Sequence, residues 1–474
     1  VGRTRLHQTS EKTKKQSDWC TGSNLITLFL YPVLFANVGF VFEGQEKTIS
    51  TLDNKKLKFY KFIRFWKLLG PGLVTGASDD DPSGIATYSQ AGAAYGLATL
   101  WTALITFPLM ASIQEMCARI GMVTSQGLTG TIKTHYRKPV LYLMLLFSFP
   151  AIVMNIGADI AGMGAVGNLL FPSVHANVFS FSFTLFLLLM LIYLPYKKIA
   201  AVLKYLCIVL LVYLIVPFLY KQDWAAVLKA AIIPTIHLNK DFISLLVAIL
   251  GTTISPYLFF WQATMEVEKM NQGKKELVVR KRMLNDMKQD VDFGMLFSNL
   301  VMFFIILTAG TVLFKGGIHQ IDTVEQAAQA LKPLAGKSAY LLFALGVIGT
   351  GLLAIPVLSG SLSYIITETF GWEQGLDKKF HEAKAFYAII AVSLILGLLL
   401  NYIGISPINA LIYSAILYGL TAPVLIAIIL HICNNKKIMG EHTNKRMSNI
   451  LGFAALILMT VAAVVLVYLQ FFGK

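Results

Sequence analysis

Charge is scarce in this sequence. Only 14% of its 474 residues are Asp, Glu, Lys or Arg, where a soluble chain carries about a quarter. That shortage excludes an ordinary soluble globular domain. Cysteine is nearly absent. The four present, Cys20, Cys117, Cys207 and Cys433, show neither metal-ligand nor redox spacing, which argues against a zinc site or a disulfide framework. The eight histidines do not cluster either. His135, His381 and His442 fall between apolar runs, where solvated surface accounts for them. Acidic side chains are the rarer sign, 25 against 40 Lys plus Arg, for a net charge of +15. The basic residues lie in short loops between apolar runs. That pattern points to membrane topology rather than to nucleic acid.

What the chain has in quantity is apolar surface. Hydrophobic residues make up 56% and mean hydropathy is +0.66. Apolar runs of about 20 residues recur, as in an all-α polytopic membrane protein. Eleven spans are predicted, roughly 66–95, 98–123, 139–165, 176–195, 199–220, 242–270, 292–314, 338–370, 384–402, 407–432 and 449–472. The sixteen methionines scattered through them fill core. The first, third, sixth and eighth spans are long and carry Gly, Pro or polar interruptions.

Lys and Arg then orient the chain. Lys55 to Lys67, Lys133 to Lys138, Lys197 and Lys198, Lys274 to Lys288, Lys378 and Lys379, and Lys436 to Arg446 all fall on one side of that topology. The opposite loops hold far fewer. Basic loops stay in the cytoplasm, so the N-terminus of the first span is expected inside and the C-terminus outside. The expected location is the plasma (inner) membrane. Residues 1–54 do not fit this scheme. If the apolar run 24–43 spanned, Arg3, Arg5, Lys12, Lys14 and Lys15 would be exported. The segment 1–54 is therefore expected to be non-native or disordered, with a signal-like or peripheral segment as the alternative. Residues 55–448 form the expected core and 449–474 the final helix.

Two spans contain what a membrane helix should not. "GASDDDPSG" (76–84) puts three carboxylates, a proline and two glycines inside the first span. Asp81 lies about 22 Å along that helix, within a hydrocarbon core of about 30 Å. Pro82 removes a backbone donor and clashes with the preceding turn, so the helix should unwind near 78–84. Non-helical backbone at that depth must face a cavity or buried protein. The sixth span repeats the device with Gly251, Thr252, Thr253, Ser255 and Pro256. Spans one and six are five apart and antiparallel, the pattern of an inverted 5+5 repeat with its site at the midplane between two broken helices. Free carbonyls at the half-helix ends, with carboxylates beside them, suit a cation. Asp79 and Asp80 have a second explanation, as caps of the second half-helix or as groups facing water. Glu266 and Glu268, near the end of the sixth span, read as a solvated face in preference to a vestibule.

The stretches "GPGLVTGASDDDPSGIATYSQAGA" (70–93) and "ARIGMVTSQGL" (118–128) resemble the Nramp divalent-metal transporters, with "GTTISPYLFF" (251–260), "DIAGMGAVGNLLF" (159–171) and "TETF" (367–370) resembling their sixth, third and eighth helices. The resemblance runs from about residue 66 to the end. It implies Asp81 as the metal-binding aspartate and Thr252 as the source of a backbone carbonyl. Gly84 stands where the family has a metal-binding asparagine, and Ser255 where it has a metal-binding methionine. A carbonyl near Ala77 completes the inferred pocket, with Asp79 and Asp80 adding hard charge around it. Gln90, Asn299 and Thr421 match polar positions of the permeation path, and Glu368 matches a family glutamate.

Without a thioether the site is all oxygen, which favours hard ions such as Mg²⁺ and Mn²⁺. Ile156 replaces one member of an acidic pair, leaving Asp159, and Tyr257 and Gln262 replace histidines. Asp159 and Tyr257 remain as candidate proton groups, and proton coupling is expected to be weak. For Asp159 a helix-packing hydrogen bond is the alternative.

The resulting expectation is a secondary transporter of divalent cations acting by alternating access, without enzyme activity or a cofactor. A sodium-coupled carrier of small solutes on the same fold is the alternative, disfavoured by the acidity of the first break. An intramembrane aspartyl protease using Asp81 and Asp159 lacks its signatures. Cysteine-accessibility labelling should find positions 138 and 281 on the cytoplasmic face and 172 and 325 on the external face. Labelling of 138 and 172 from the same side would overturn the topology.

Overall fold

The computed structural model describes residues 70–194, 212–219, 222–271 and 279–472. Every regular element among them is a helix. The principal ones are α1 (Pro71–Asp79), α2 (Pro82–Tyr95), α3 (Trp101–Thr124), α4 (Lys138–Leu170), α5 (Ala176–Tyr193) and α6 (Lys240–Thr253). They continue as α7 (Pro256–Asn271), α8 (Lys281–Ala309), α9 (Ala339–Phe370), α10 (Lys384–Leu400), α11 (Pro407–Asn434) and α12 (Arg446–Phe472). Taking α6 and α7 as one interrupted helix, eight among the described residues are long and apolar enough to cross a membrane. They correspond to predicted spans three, four and six to eleven. The first span is the pair α1–α2 and the second is α3. Neither is among the eight: one is interrupted by three aspartates, and the other carries Gln114, Glu115 and Arg119. Most of the fifth, 199–220, lies outside the described residues, as do residues 1–54.

Among the described residues, the first and sixth spans are the ones that break. Pro150 and Pro356 lie inside continuous helices α4 and α9, so the interruptions in spans three and eight are absorbed. The two breaks share one plan. Each first half ends in a residue with non-helical backbone, Asp80 (φ −83°, ψ 51°) or Ile254 (φ −110°, ψ 60°). One linker residue follows, Asp81 or Ser255, and a proline starts the second half. Proline suits that position because its missing N–H is one that a helix start leaves unbonded. The seventh span also differs from expectation. It begins at Lys281 rather than 292, because the charged residues Lys281 to Asp290 wind as a helical extension instead of a loop.

Close helix approach sets the frame. α1 and α2 pack on α8, α4 on α9 and α11, α6 on α11, and α3 on α7. Glycine makes several of these contacts. A Cβ on Gly76 of α1 would come within 2.1 Å of the Gly294 carbonyl oxygen in α8, and one on Gly251 within 2.1 Å of that of Ala415 in α11. The "ARIGMVT" stretch has a structural role: Arg119 donates to the His442 carbonyl at 2.7 Å and to Asn444 at 2.5 Å, and pairs with Glu115 at 3.0 Å. Cys117 and Cys433 are buried and free.

The start of α1 is held by a carboxylate from another helix. Asp290 of α8 accepts from the backbone N–H groups of Gly70 (2.8 Å), Gly72 (3.0 Å) and Leu73 (3.2 Å). These are donors that a helix start cannot satisfy within itself. Asp290→Ala should therefore lower thermal stability, by about 1–3 kcal/mol for the stranded donors. An unchanged melting temperature would remove Asp290 as the anchor of α1.

Candidate functional site

The first break divides its three aspartates by backbone geometry. Asp81 is extended (φ −69°, ψ 172°) and caps α2, accepting from the Gly84 N–H at 2.7 Å through Oδ1. Its other oxygen accepts from Asn155 Nδ2 of α4 at 2.9 Å. Ser414 of α11 donates to Asn155 Oδ1 at 2.9 Å. Ser83, next to the break, donates to the Leu411 carbonyl of α11 at 2.9 Å. The Asp81 carboxylate is thus fixed from three helices.

Asp79 and Asp80 face a different helix. Ser298 of α8 lies 2.8 Å from Asp79 Oδ2 and 3.3 Å from Asp80 Oδ1. Asp79 Oδ1 and Asp80 Oδ2 have no hydrogen-bond partner, and neither oxygen of Asp159 in α4 has one. Asp79, Asp80 and Asp159 are 0% exposed and Asp81 is 2%. The alternative for Asp79 and Asp80 is therefore corrected on both counts. The cap is Asp81, because it alone has the extended backbone a cap requires, and neither of the others meets water. No Lys, Arg or His among the described residues pairs with any of the four.

The second break faces the first. Gly84 forms a notch between them: a Cβ there would meet the Asp79 carbonyl oxygen at 3.3 Å and the Thr252 hydroxyl at 3.4 Å. The Ser255 hydroxyl lies beside Asp79, but it donates to the Thr252 carbonyl at 2.5 Å. Two expected ligands therefore bond to each other. Two tyrosines cross between the breaks. Tyr257 of α7 donates to the Ser78 carbonyl at 2.8 Å, and Tyr88 of α2 shares a hydrogen bond with Thr253 at 3.1 Å. Ala77 is buried one turn before the first break.

The other predicted positions do not join this group through hydrogen bonds. Gln90 accepts from the Ile321 N–H at 2.8 Å. Asn299 accepts from Thr106 of α3 at 2.9 Å, and Thr421 donates to Leu417 of its own helix at 3.0 Å. Among the described residues no three His, Cys, Asp or Glu side chains converge on one metal-sized point. Reasoning from the sequence missed Asn155, Ser414 and Ser298. The available signal was a polar side chain in the middle of an apolar helix.

The expectation for Glu266 and Glu268 is also corrected. Glu266 is buried and accepts from Gln262 at 3.2 Å. Glu268 accepts from the Tyr364 hydroxyl and lines a cavity of about 510 Å³ with Gln126, Thr264, Glu368 and Asp377. Glu368 accepts there from the Gly130 N–H at 2.7 Å. Packing of α7 against α3 and α9 takes Glu266 out of bulk water, while Glu268 stays half-buried at the cavity.

Comparison with known proteins converges on one family. Residues 72–469 match the family model for natural resistance-associated macrophage protein-like (Nramp) proteins. The chain is 25% identical over 418 residues to a divalent metal cation transporter, MntH, of Klebsiella pneumoniae, covering 86% of this chain and 95% of that one. It is 24% identical over 421 residues to the Bacillus subtilis MntH, with 88% and 95% covered. Its fold matches that of the Eremococcus coleocola manganese transporter, with a TM-score of 0.71 at 18% identity over 88% of this chain and 89% of that one. The chain belongs to the Nramp family.

Proposed function

We propose that this chain carries divalent metal cations across the membrane as a secondary transporter, by alternating access about its two breaks. The observation that carries the reading is buried charge. Three carboxylates at the first break and a fourth, Asp159, in α4 are buried with no Lys, Arg or His paired to them among the described residues. A charge at such depth is too costly to leave unbalanced, so it binds a cation or a proton. Family membership and relatives named as divalent metal cation transporters favour a metal ion.

In this reading Asp81 is the central ligand. Capping α2 and bonding to Asn155 hold its carboxylate in place, and an ion adds a bond to lone pairs that a carboxylate still has free. The Thr252 carbonyl and the Ser255 hydroxyl come from the second break, with a carbonyl near Ala77 and water completing the shell. Their mutual hydrogen bond must open as the ion enters, which a rotation of the Ser255 side chain accomplishes. Gly84 leaves the notch open for a partly hydrated ion. An all-oxygen shell with room for water suits Mg²⁺ and Mn²⁺. The cavity beside Glu268 and Glu368 serves as the cytoplasmic mouth, in keeping with an inward N-terminus of α1. The sodium-coupled alternative gains no support from a break this acidic.

Two measurements test the reading. Asp81→Ala should abolish divalent uptake into proteoliposomes while the protein still expresses and folds. Uptake at the wild-type rate would eliminate Asp81 as the central ligand. Ser255→Met should move competition uptake towards Mn²⁺ or Cd²⁺ over Mg²⁺ or Ca²⁺, on the order of tenfold, or about 1.4 kcal/mol for one soft ligand. An unchanged ratio would show that Ser255 does not set selectivity.

A further inference from the structure

We propose that the first break seats a second hard divalent cation, held by the Asp79 and Asp80 carboxylates with the Ser298 hydroxyl of α8, apart from the ion at Asp81. The proposal builds on the Asp81 reading and concerns the opposite side of the same break.

Direction separates the two seats. Both Asp81 oxygens are engaged away from α8, one by the start of α2 and the other by Asn155 of α4. Asp79 and Asp80 converge on α8 instead, sharing the single hydroxyl of Ser298. That hydroxyl has one proton, so it can donate to only one of the two carboxylates at a time. Asp79 Oδ1 and Asp80 Oδ2 remain fully buried and unpartnered. These buried carboxylate oxygens, which no Lys, Arg or His among the described residues pairs with, offer an ion two free ligands.

Charge gives the valence. Asp79, Asp80, Asp81 and Asp159 together have a formal charge of four negatives, and one divalent ion offsets two. The remaining pair is strongly unfavourable as bare charge in that medium, so protons balance it when the seat is empty and an ion when it is filled. Two carboxylates match a second divalent ion, and the C-terminal end of α1 adds negative potential at the same place. All the candidate ligands are oxygen, which selects a hard cation. The Ser255 hydroxyl beside Asp79 places this seat, like the first, against both breaks.

The test counts ions on the purified full-length chain in detergent, titrated with Mn²⁺ in sodium-free buffer and followed by electron paramagnetic resonance. Two Mn²⁺ per wild-type chain are expected, with line broadening from their proximity. Asp80→Asn and Ser298→Ala should each weaken one ion at least about tenfold and leave the other bound, and Asp81→Asn should remove the other. A wild-type stoichiometry of one, or a second site filled only by Na⁺, overturns the proposal. So does unchanged binding of both ions in both Asp80→Asn and Ser298→Ala. If Asp81→Asn keeps both ions while Asp80→Asn loses one, the Asp81 reading fails and the second seat stands.

Discussion

Burying a carboxylate where neither water nor a basic side chain can reach it is the constraint around which this molecule is arranged. Isolated, each of the four acids would destabilise the fold by several kcal/mol. The chain surrounds them with short-range compensation: a helix start and Asn155 for Asp81, and Ser298 for Asp79 and Asp80. That compensation is incomplete, since four carboxylate oxygens have no partner. A purely structural polar cluster would be satisfied internally. This one is left short of positive charge, which ties its stability to what it binds.

The rest of the architecture makes that arrangement possible. A broken helix in lipid needs other protein around its exposed carbonyls and N–H groups. Here α8, α4 and α11 supply it. Glycine contacts bring α8 against α1 and α11 against α6 closely enough for side chains one turn away to reach the breaks. Asp290 anchors the start of α1 from the same helix that carries Ser298, so α8 holds the first half-helix at both ends.

Much of this plan was legible in the sequence, because its signals are local. Each break has a polar residue directly followed by proline in an apolar run, Asp81-Pro82 and Ser255-Pro256, and both fell where expected. The apolar runs of about 20 residues predicted the spans well enough that eight reappear, among the described residues, as long apolar helices. The division of labour among Asp79, Asp80 and Asp81 was not legible. It depends on one backbone rotation at Asp80, which turns Asp81 towards α4 and leaves its neighbours facing α8. Asn299 was singled out while the adjacent Ser298 touches the aspartates. One residue turns a helix face by about 100°, and only packing decides which face looks inward. Glu266 misled because charge near a span end usually means water, and here packing buries it, while Glu268 lines a cavity rather than an open face.

The paired tyrosines have a mechanical consequence. Tyr257, on the second half of one broken helix, holds the Ser78 carbonyl near the end of the first half of the other, while Tyr88 reaches back to Thr253. Swinging α1 at its break would strand the Ser78 carbonyl in a dry interior unless α7 moved with it. Shifting α6 would likewise tug on α2. The four half-helices are therefore meshed like a pair of gears, and a movement that begins at either break is transmitted to the other.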